Sequence, residues 1–223
     1  FIKIIKRTSL IMEVFLCFVV KFVKLYRLIR NLYFILMKLS KSQISNLVFL
    51  VVIAILIIPQ TRKPIQVFLN KGFALISPSI EKKENQTTLK SYEWKLKNEN
   101  GNIFDFESTK GKVVFINFWA TWCPPCIAEM PSIQNLYTDY KDKVEFLLVT
   151  NDPYSEINEF LSKNNYDFKI LRPVTFNTSV FDVSTIPRTF LIDKTGKIII
   201  DETGAANWNS DKVRLVIDNL LKE

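Results

Sequence analysis

Cys123 and Cys126 are separated by Pro124 and Pro125, in a chain of 223 residues with three cysteines and no histidine. A Cys-x-x-Cys spacing is half of a zinc site, a redox pair, or two incidental thiols. Zinc takes four ligands, and Cys17 is the one further cysteine in a chain without histidine, so no metal is expected. The lack of histidine also removes Ser-His and Cys-His catalysis. It removes c-type haem attachment too, which needs His where Ile127 stands.

The elements that must position the pair are legible around it. An apolar run, Val113–Trp119, suits a strand buried on both faces. After Ala120-Thr121-Trp122, a segment from Pro124 to about Tyr140 carries Ile127, Met130, Ile133, Leu136 and Tyr137 at helical spacing. Proline is tolerated in a first turn, whose N–H groups lack intrahelical partners. A helix N-terminus stabilises a thiolate, which argues against incidental thiols. The placement predicts Cys123 as the exposed, low-pKa nucleophile that attacks a substrate disulfide, and Cys126, one turn in, as the buried resolving thiol. Pro124 and Pro125 stiffen the backbone between the sulfurs. Such loops span about −270 to −120 mV, so spacing does not set the direction of electron flow.

The rest of residues 89–223 reads as alternating strands and helices, hence an α/β sheet. Tyr92–Leu96 and Ile103–Phe106 flank Asn100-Gly101, a hairpin turn pair. Strand Val144–Val149, helix Ser155–Lys163, strand Phe168–Leu171 and a short helix near Val180 follow. Strands Thr189–Ile192 and Lys197–Asp201 are joined by the turn Asp193-Lys194-Thr195-Gly196, and helix Ser210–Leu221 ends the pattern.

The net charge of +8 is unevenly placed. Residues 1–88 hold 14 Lys and Arg against 3 Asp and Glu, whereas residues 89–223 hold 16 against 19. The catalytic part is therefore mildly acidic, and nucleic acid is not an expected partner. Residues 37–58 read as a signal-anchor or transmembrane segment: Lys38 and Lys41, then an unbroken apolar run Leu47–Ile58, then Pro59. The run is shorter than the roughly 20 residues that span a bilayer, and no small-x-small cleavage pattern follows it, so an uncleaved anchor is expected. Residues 1–36 are crowded with apolar and basic side chains. They are read as a doubtful leader, either upstream sequence translated in frame or a basic apolar leader. Residues 59–88, ending in Glu81-Lys82-Lys83-Glu84-Asn85-Gln86-Thr87-Thr88, read as a linker holding the domain away from the membrane.

The chain resembles the thioredoxin superfamily, and more closely its membrane-anchored bacterial TlpA/ResA-like branch. The resemblance rests on Asn117-Phe118-Trp119-Ala120-Thr121-Trp122-Cys123-Pro124-Pro125-Cys126, then Glu129, Met130 and Pro131, and later Thr185-Ile186-Pro187-Arg188-Thr189-Phe190. It implies a thioredoxin-like fold: a central mixed sheet flanked by helices, with an N-terminal β-hairpin and a helix–strand unit inserted within Asn151–Thr175. It implies that Pro187 is a cis-proline facing the cysteines and that Ile186 offers backbone groups to a bound substrate strand. It also implies that Glu129 tunes the thiols or moves a proton; the residues alone allow a surface glutamate on a helix. Asn117 stands where cytosolic thioredoxins carry an aspartate that serves the resolving cysteine. Asn cannot accept that proton, so Glu129 or water must. Trp122 is expected to contact substrate, and Trp119 to pack in the core.

The expected activity is that of a membrane-anchored thiol–disulfide oxidoreductase, reducing disulfides of exported proteins with its cysteine pair as redox centre and no cofactor. Its expected partners are disulfide-bearing proteins, a membrane or thioredoxin-family electron donor, and the membrane through residues 47–58. The expected location is the extracytoplasmic side of a bacterial inner membrane. A thiol oxidase would use the same residues. A peroxidase of this fold would need Pro and Thr where Ile116 and Ala120 stand. A non-catalytic binding module would not need the intact pair.

Overall fold

A computed structural model describes residues 24, 26, 27, 30, 40–81, 86–174, 181 and 183–223. The doubtful leader, apart from the four isolated positions named, and the short helix expected near Val180 lie outside the described residues. The chain divides into two compact units, Phe1–Pro59 and Gln60–Glu223.

In the first unit, helix α1 (Lys41–Ile57) begins at a capping box. The Gln43 N–H donates to the Ser40 hydroxyl at 3.4 Å, and the Ser40 N–H donates to Gln43 Oε1 at 3.0 Å. Leu47, Val48, Phe49, Leu50, Val51 and Val52 are all exposed, so the helix is apolar around its whole circumference. Its 17 residues rise about 26 Å, short of the ~30 Å of a bilayer core. Among the described residues, no helix is long and apolar enough to cross a membrane.

Residues 59–88 are not an extended tether. Helix α2 (Pro59–Phe73) occupies the first half, Ala74 is buried, and the backbone beyond is bonded to residues 198–207 of the same unit. Asn207 N–H donates to the Ile76 carbonyl at 2.7 Å, Glu81 N–H to Ile199 at 3.0 Å, and Ile198 N–H to Thr87 at 2.8 Å. Polar composition misled the linker expectation, because covering a sheet edge uses backbone groups that composition does not report.

The sheet has seven strands among the described residues, in the order β2-β1-β5-β4-β3-β6-β7. They are β1 (Lys95–Lys97), β2 (Ile103–Asp105), β3 (Val114–Phe118), β4 (Glu145–Val149), β5 (Ile170–Pro173), β6 (Arg188–Ile192) and β7 (Ile198–Thr203). The central strands β3, β4 and β5 run parallel, and β6 and β7 add antiparallel strands on one side. On the other side the β1–β2 hairpin joins through β5, Leu96 opposite Pro173. The inserted helix–strand unit, α4 (Tyr154–Asn164) and β5, is thus what attaches the hairpin to the sheet. Helices α3 (Pro124–Tyr140) and α5 (Asp211–Lys222) complete the unit.

Alternation along β3 divides the core. Phe115 packs with Met130, Ile133, Leu136, Trp208 and Ile217 on one face of the sheet, and Ile116 with Leu96, Phe106, Leu147 and Phe190 on the other. Asn117 shares the parity of Phe115, so its amide points under α3.

Candidate active site

Strand β3 ends at Phe118, and the loop Trp119–Trp122 delivers Cys123 to the start of α3. Cys123 is the N-cap of that helix, its Sγ accepting from the Cys126 N–H at 3.3 Å, with Pro124 and Pro125 in the first turn. Cys123 and Cys126 are disulfide-bonded, with Cα atoms 5.3 Å apart. Opposite them the Ile186–Pro187 peptide bond is cis, Pro187 is buried, and the Ile186 carbonyl oxygen lies 3.9 Å from Cys123 Sγ.

The expectation of an exposed Cys123 is corrected. In the disulfide-bonded state Cys123 is 3% exposed, nearly as covered as Cys126, whereas its neighbour Trp122 is 58% exposed. The sulfur is closed over by the core that includes Trp119 and Ala120, and the proline strand faces it from the other side. The indole of Trp122 is the apolar surface beside the disulfide. Pro124, Pro125 and Ile186 are half-buried at the same place. Trp119 is core, its ring 5.3 Å from that of Phe160 on the inserted helix.

Beneath the disulfide lies a polar cluster sealed from water. Glu129, one turn after Cys126, is fully buried and not on the helix surface. Its Oε1 accepts from Asn117 Nδ2 at 2.8 Å. Its Oε2 accepts from Trp208 Nε1 at 2.9 Å and from the Ala206 N–H at 3.2 Å. Burial pushes the carboxyl up to about 7, while the bonds from Trp208, Asn117 and Ala206 pull it back and the charge of Glu202 adds to the rise. A group titrating there can hold or release a proton at neutral pH. Asn117 Nδ2 also donates to Thr189 Oγ1 at 2.7 Å, and Asn117 Oδ1 is buried without a partner. Rotation of the amide would turn Oδ1 toward a protonated Glu129, so Asn117 can serve either protonation state. The structure therefore joins Asn117, the departure from the thioredoxin pattern, to Glu129.

Three site residues were given no role from sequence. Asp152, in the turn after β4, is buried, and its Oδ2 accepts from the Thr121 N–H at 2.7 Å. That bond, with Trp119 N–H donating to the Val149 carbonyl at 3.1 Å, fixes the loop that aims Trp122 and Cys123. Asn151-Asp152-Pro153 is legible as a turn, but not as the acceptor for a loop 31 residues away. Thr189 belongs to the proline motif, but the partner of its hydroxyl is visible only once β6 pairs with β3, Asn117 opposite Thr189. Trp208 sits in a loop without periodicity. Among the described residues, no group of three potential ligands is placed to hold a metal ion.

A strand leading into a Cys-x-x-Cys at a helix N-terminus, faced by a cis-proline on the antiparallel neighbour strand, defines a thioredoxin-like protein with a redox-active cysteine pair. The chain belongs to the Redoxin family, whose model matches residues 83–217. It is 36% identical over 102 residues to the thiol-disulfide oxidoreductase ResA of Bacillus cereus, covering 44% of this chain and 59% of that one. It is 34% identical over 130 residues to the thioredoxin-like protein YneN of Bacillus subtilis (strain 168), covering 56% and 76%. The chain thus spans 59% of the ResA relative's length. The crystal structure of a thiol:disulfide interchange protein of the thioredoxin family from Chlorobium tepidum TLS shares the fold. Its TM-score is 0.52 at 21% identity, covering 60% of this chain and 97% of that one.

Proposed function

We propose that the protein is a thiol–disulfide oxidoreductase that reduces disulfides of exported proteins at a membrane, with the cysteine pair as its redox centre and no added cofactor. The observation that carries this reading is the Cys123–Cys126 disulfide at the N-terminus of α3, with the Ile186 carbonyl 3.9 Å from Cys123 Sγ. In the reduced enzyme, the Cys123 thiolate attacks one sulfur of a substrate disulfide. The Cys123–substrate bond forms, the substrate disulfide breaks, and the leaving sulfur takes up a proton. Cys126 then loses its proton and attacks Cys123 Sγ, releasing the second substrate thiol and leaving the enzyme disulfide. The enzyme is oxidised by two electrons and the substrate reduced by two. A membrane or thioredoxin-family donor must restore the dithiol. Glu129, with its carboxyl near neutrality, is the group suited to store the proton that Cys126 releases.

The nearby surface suits a protein substrate. Trp122 supplies an exposed aromatic face, and the half-buried Ile186 backbone, just ahead of the paired strand β6, supplies groups for an extended peptide. A peroxidase is disfavoured because Ile116, where that pattern needs Pro, is buried on the far face of the sheet.

Membrane placement, with the domain on the extracytoplasmic side of a bacterial inner membrane, is supported by α1, on which the consecutive apolar side chains Leu47–Val52 are exposed. The test is a redox assay with a disulfide-bonded exported protein. Cys123→Ser abolishes turnover, while Cys126→Ser accumulates a mixed disulfide that mass spectrometry identifies. Turnover that survives Cys123→Ser would overturn the proposal. A Cys123–Cys126 potential near about −120 mV, typical of oxidants, would instead reverse the direction of electron flow.

A further inference from the structure

Helix α2 presents an apolar stripe to solvent. Ile65, Phe68 and Leu69 lie one turn apart on its outer face, and Leu75 and Ile76 continue the line just past Phe73; Phe68 is 75% exposed and Leu75 76%. The opposite side is turned inward: Gln66, Val67 and Asn70 are half-buried and Ala74 is buried. Large apolar side chains in one exposed row mark a surface that something covers.

The charge around the stripe identifies the occupant. Arg62 and Lys71 stand exposed beside it, and the chain has no acidic residue between Glu13 and Glu81. Along α2 itself the apolar side chains are accompanied by cations and by no acid, which matches the boundary of an anionic bilayer, with acyl chains beneath and phosphates at the level of the Lys and Arg heads. A second copy would set the same cations against one another, which costs affinity. The stripe also begins close in the chain to α1, which ends at Ile57, two residues before Pro59.

The tail of α2 is fastened to the redox domain. Asn207 N–H donates to the Ile76 carbonyl at 2.7 Å, Lys212 Nζ to the Pro78 carbonyl at 2.9 Å, and Ser79 N–H to Glu202 Oε2 at 2.8 Å. Asn207 precedes Trp208, the partner of Glu129, so the tail and the buried proton site share one loop. We infer that the outer face of α2 lies in the headgroup–acyl boundary of an anionic membrane and seats the redox domain on the lipid surface. This rests on the membrane placement proposed above. It goes beyond that reading by making α2 a second lipid contact that sets the site's height.

The test uses the full chain with Cys17→Ser and the Cys123–Cys126 disulfide kept oxidised. A nitroxide is attached in turn at Phe68→Cys, Leu75→Cys or, on α1, Phe49→Cys. The proteins are reconstituted in phosphatidylcholine vesicles with or without phosphatidylglycerol, and collision rates with oxygen and a nickel chelate are compared. With phosphatidylglycerol, all three positions should favour oxygen several-fold. Without it, or with Arg62→Glu and Lys71→Glu, the preference at positions 68 and 75 should fall, by about fivefold per cation lost, while position 49 keeps its own. Nickel access at 68 and 75 with oxygen preference at 49 would overturn the inference and leave the anchor standing. Nickel access at all three would remove both. Spin–spin broadening at position 68 would show that a second copy covers the stripe, which also overturns the inference.

Discussion

Trp208 Nε1 donates to Glu129 Oε2 at 2.9 Å, joining residues 79 apart in the chain. The indole is fully buried and packs edge-on against Phe115 of β3 at 5.2 Å. One side chain therefore seals the core beneath the cysteine pair and stabilises the anionic form of its buried carboxylate.

Trp208→Phe keeps most of the ring and removes the donor. The lost bond to a charged acceptor costs about 1.5–3 kcal/mol at pH values where Glu129 is ionised. Glu129 should titrate above its present value of about 7, because a bond that lowers it is gone. Carboxyl titration by infrared or carbon NMR checks this, and an unmoved or lowered midpoint would refute the role given to the indole.

Stability should fall as pH rises through the Glu129 titration. The folded protein holds the proton up to about 7, whereas the unfolded chain releases it near 4.5. Between those values the native state binds more protons, so raising the pH favours unfolding, by about 3 kcal/mol in all. Glu129→Gln has no such proton to lose. Its stability in urea titrations from about pH 4 to 8 should lack this slope, and an unchanged slope would assign it to another group.

Asp152 positions the loop before Cys123 through the Thr121 N–H. Asp152→Asn retains an acceptor and should keep kcat/KM toward a protein disulfide within about twofold, whereas Asp152→Ala removes the acceptor of a half-buried N–H, costing about 0.5–1.5 kcal/mol. The Ala variant should lose about tenfold, mostly in KM, because Trp122 is no longer held for substrate. Equal behaviour of the two variants would show that the hydrogen bond does not aim the loop.

Gly196 adopts φ +85°, and a Cβ there would strike the Tyr92 hydroxyl. Gly196→Ala should cost about 1–3 kcal/mol in thermal or chemical denaturation. Adding Tyr92→Phe should recover part of that loss, since the backbone strain remains when the hydroxyl is gone. A neutral Gly196→Ala would mean that the turn relaxes freely.

Much of the architecture was legible because local periodicity and turn chemistry reported it. Helix α3 follows the spacing of Met130, Ile133 and Leu136, and the turn at Asn100-Gly101 closes β1 on β2 with Gly101 at φ +79°. Strand β5 was the weaker expectation. It runs Ile170–Pro173 and not Phe168–Leu171, because its limits are set by the neighbours it pairs with, Leu148 on one side and Leu96 on the other. The linker expectation for residues 59–88 missed the bonds of Ile76, Glu81 and Thr87 for the same reason: edge pairing through backbone groups leaves little trace in side-chain composition.

At the site, the sequence alone determined the chemistry. Two cysteines at that spacing, at the start of a helix, with one further cysteine and no histidine in the chain, leave thiol–disulfide exchange as the reaction those residues can perform. Only the tertiary structure decided the burial of Cys123, the sealing of Glu129, and the convergence of Asn117, Trp208 and Thr189 around it. Those properties depend on which surfaces meet across the sheet. Burial, and with it the position of the carboxyl's titration, arises from long-range packing that neither residue type nor spacing encodes locally.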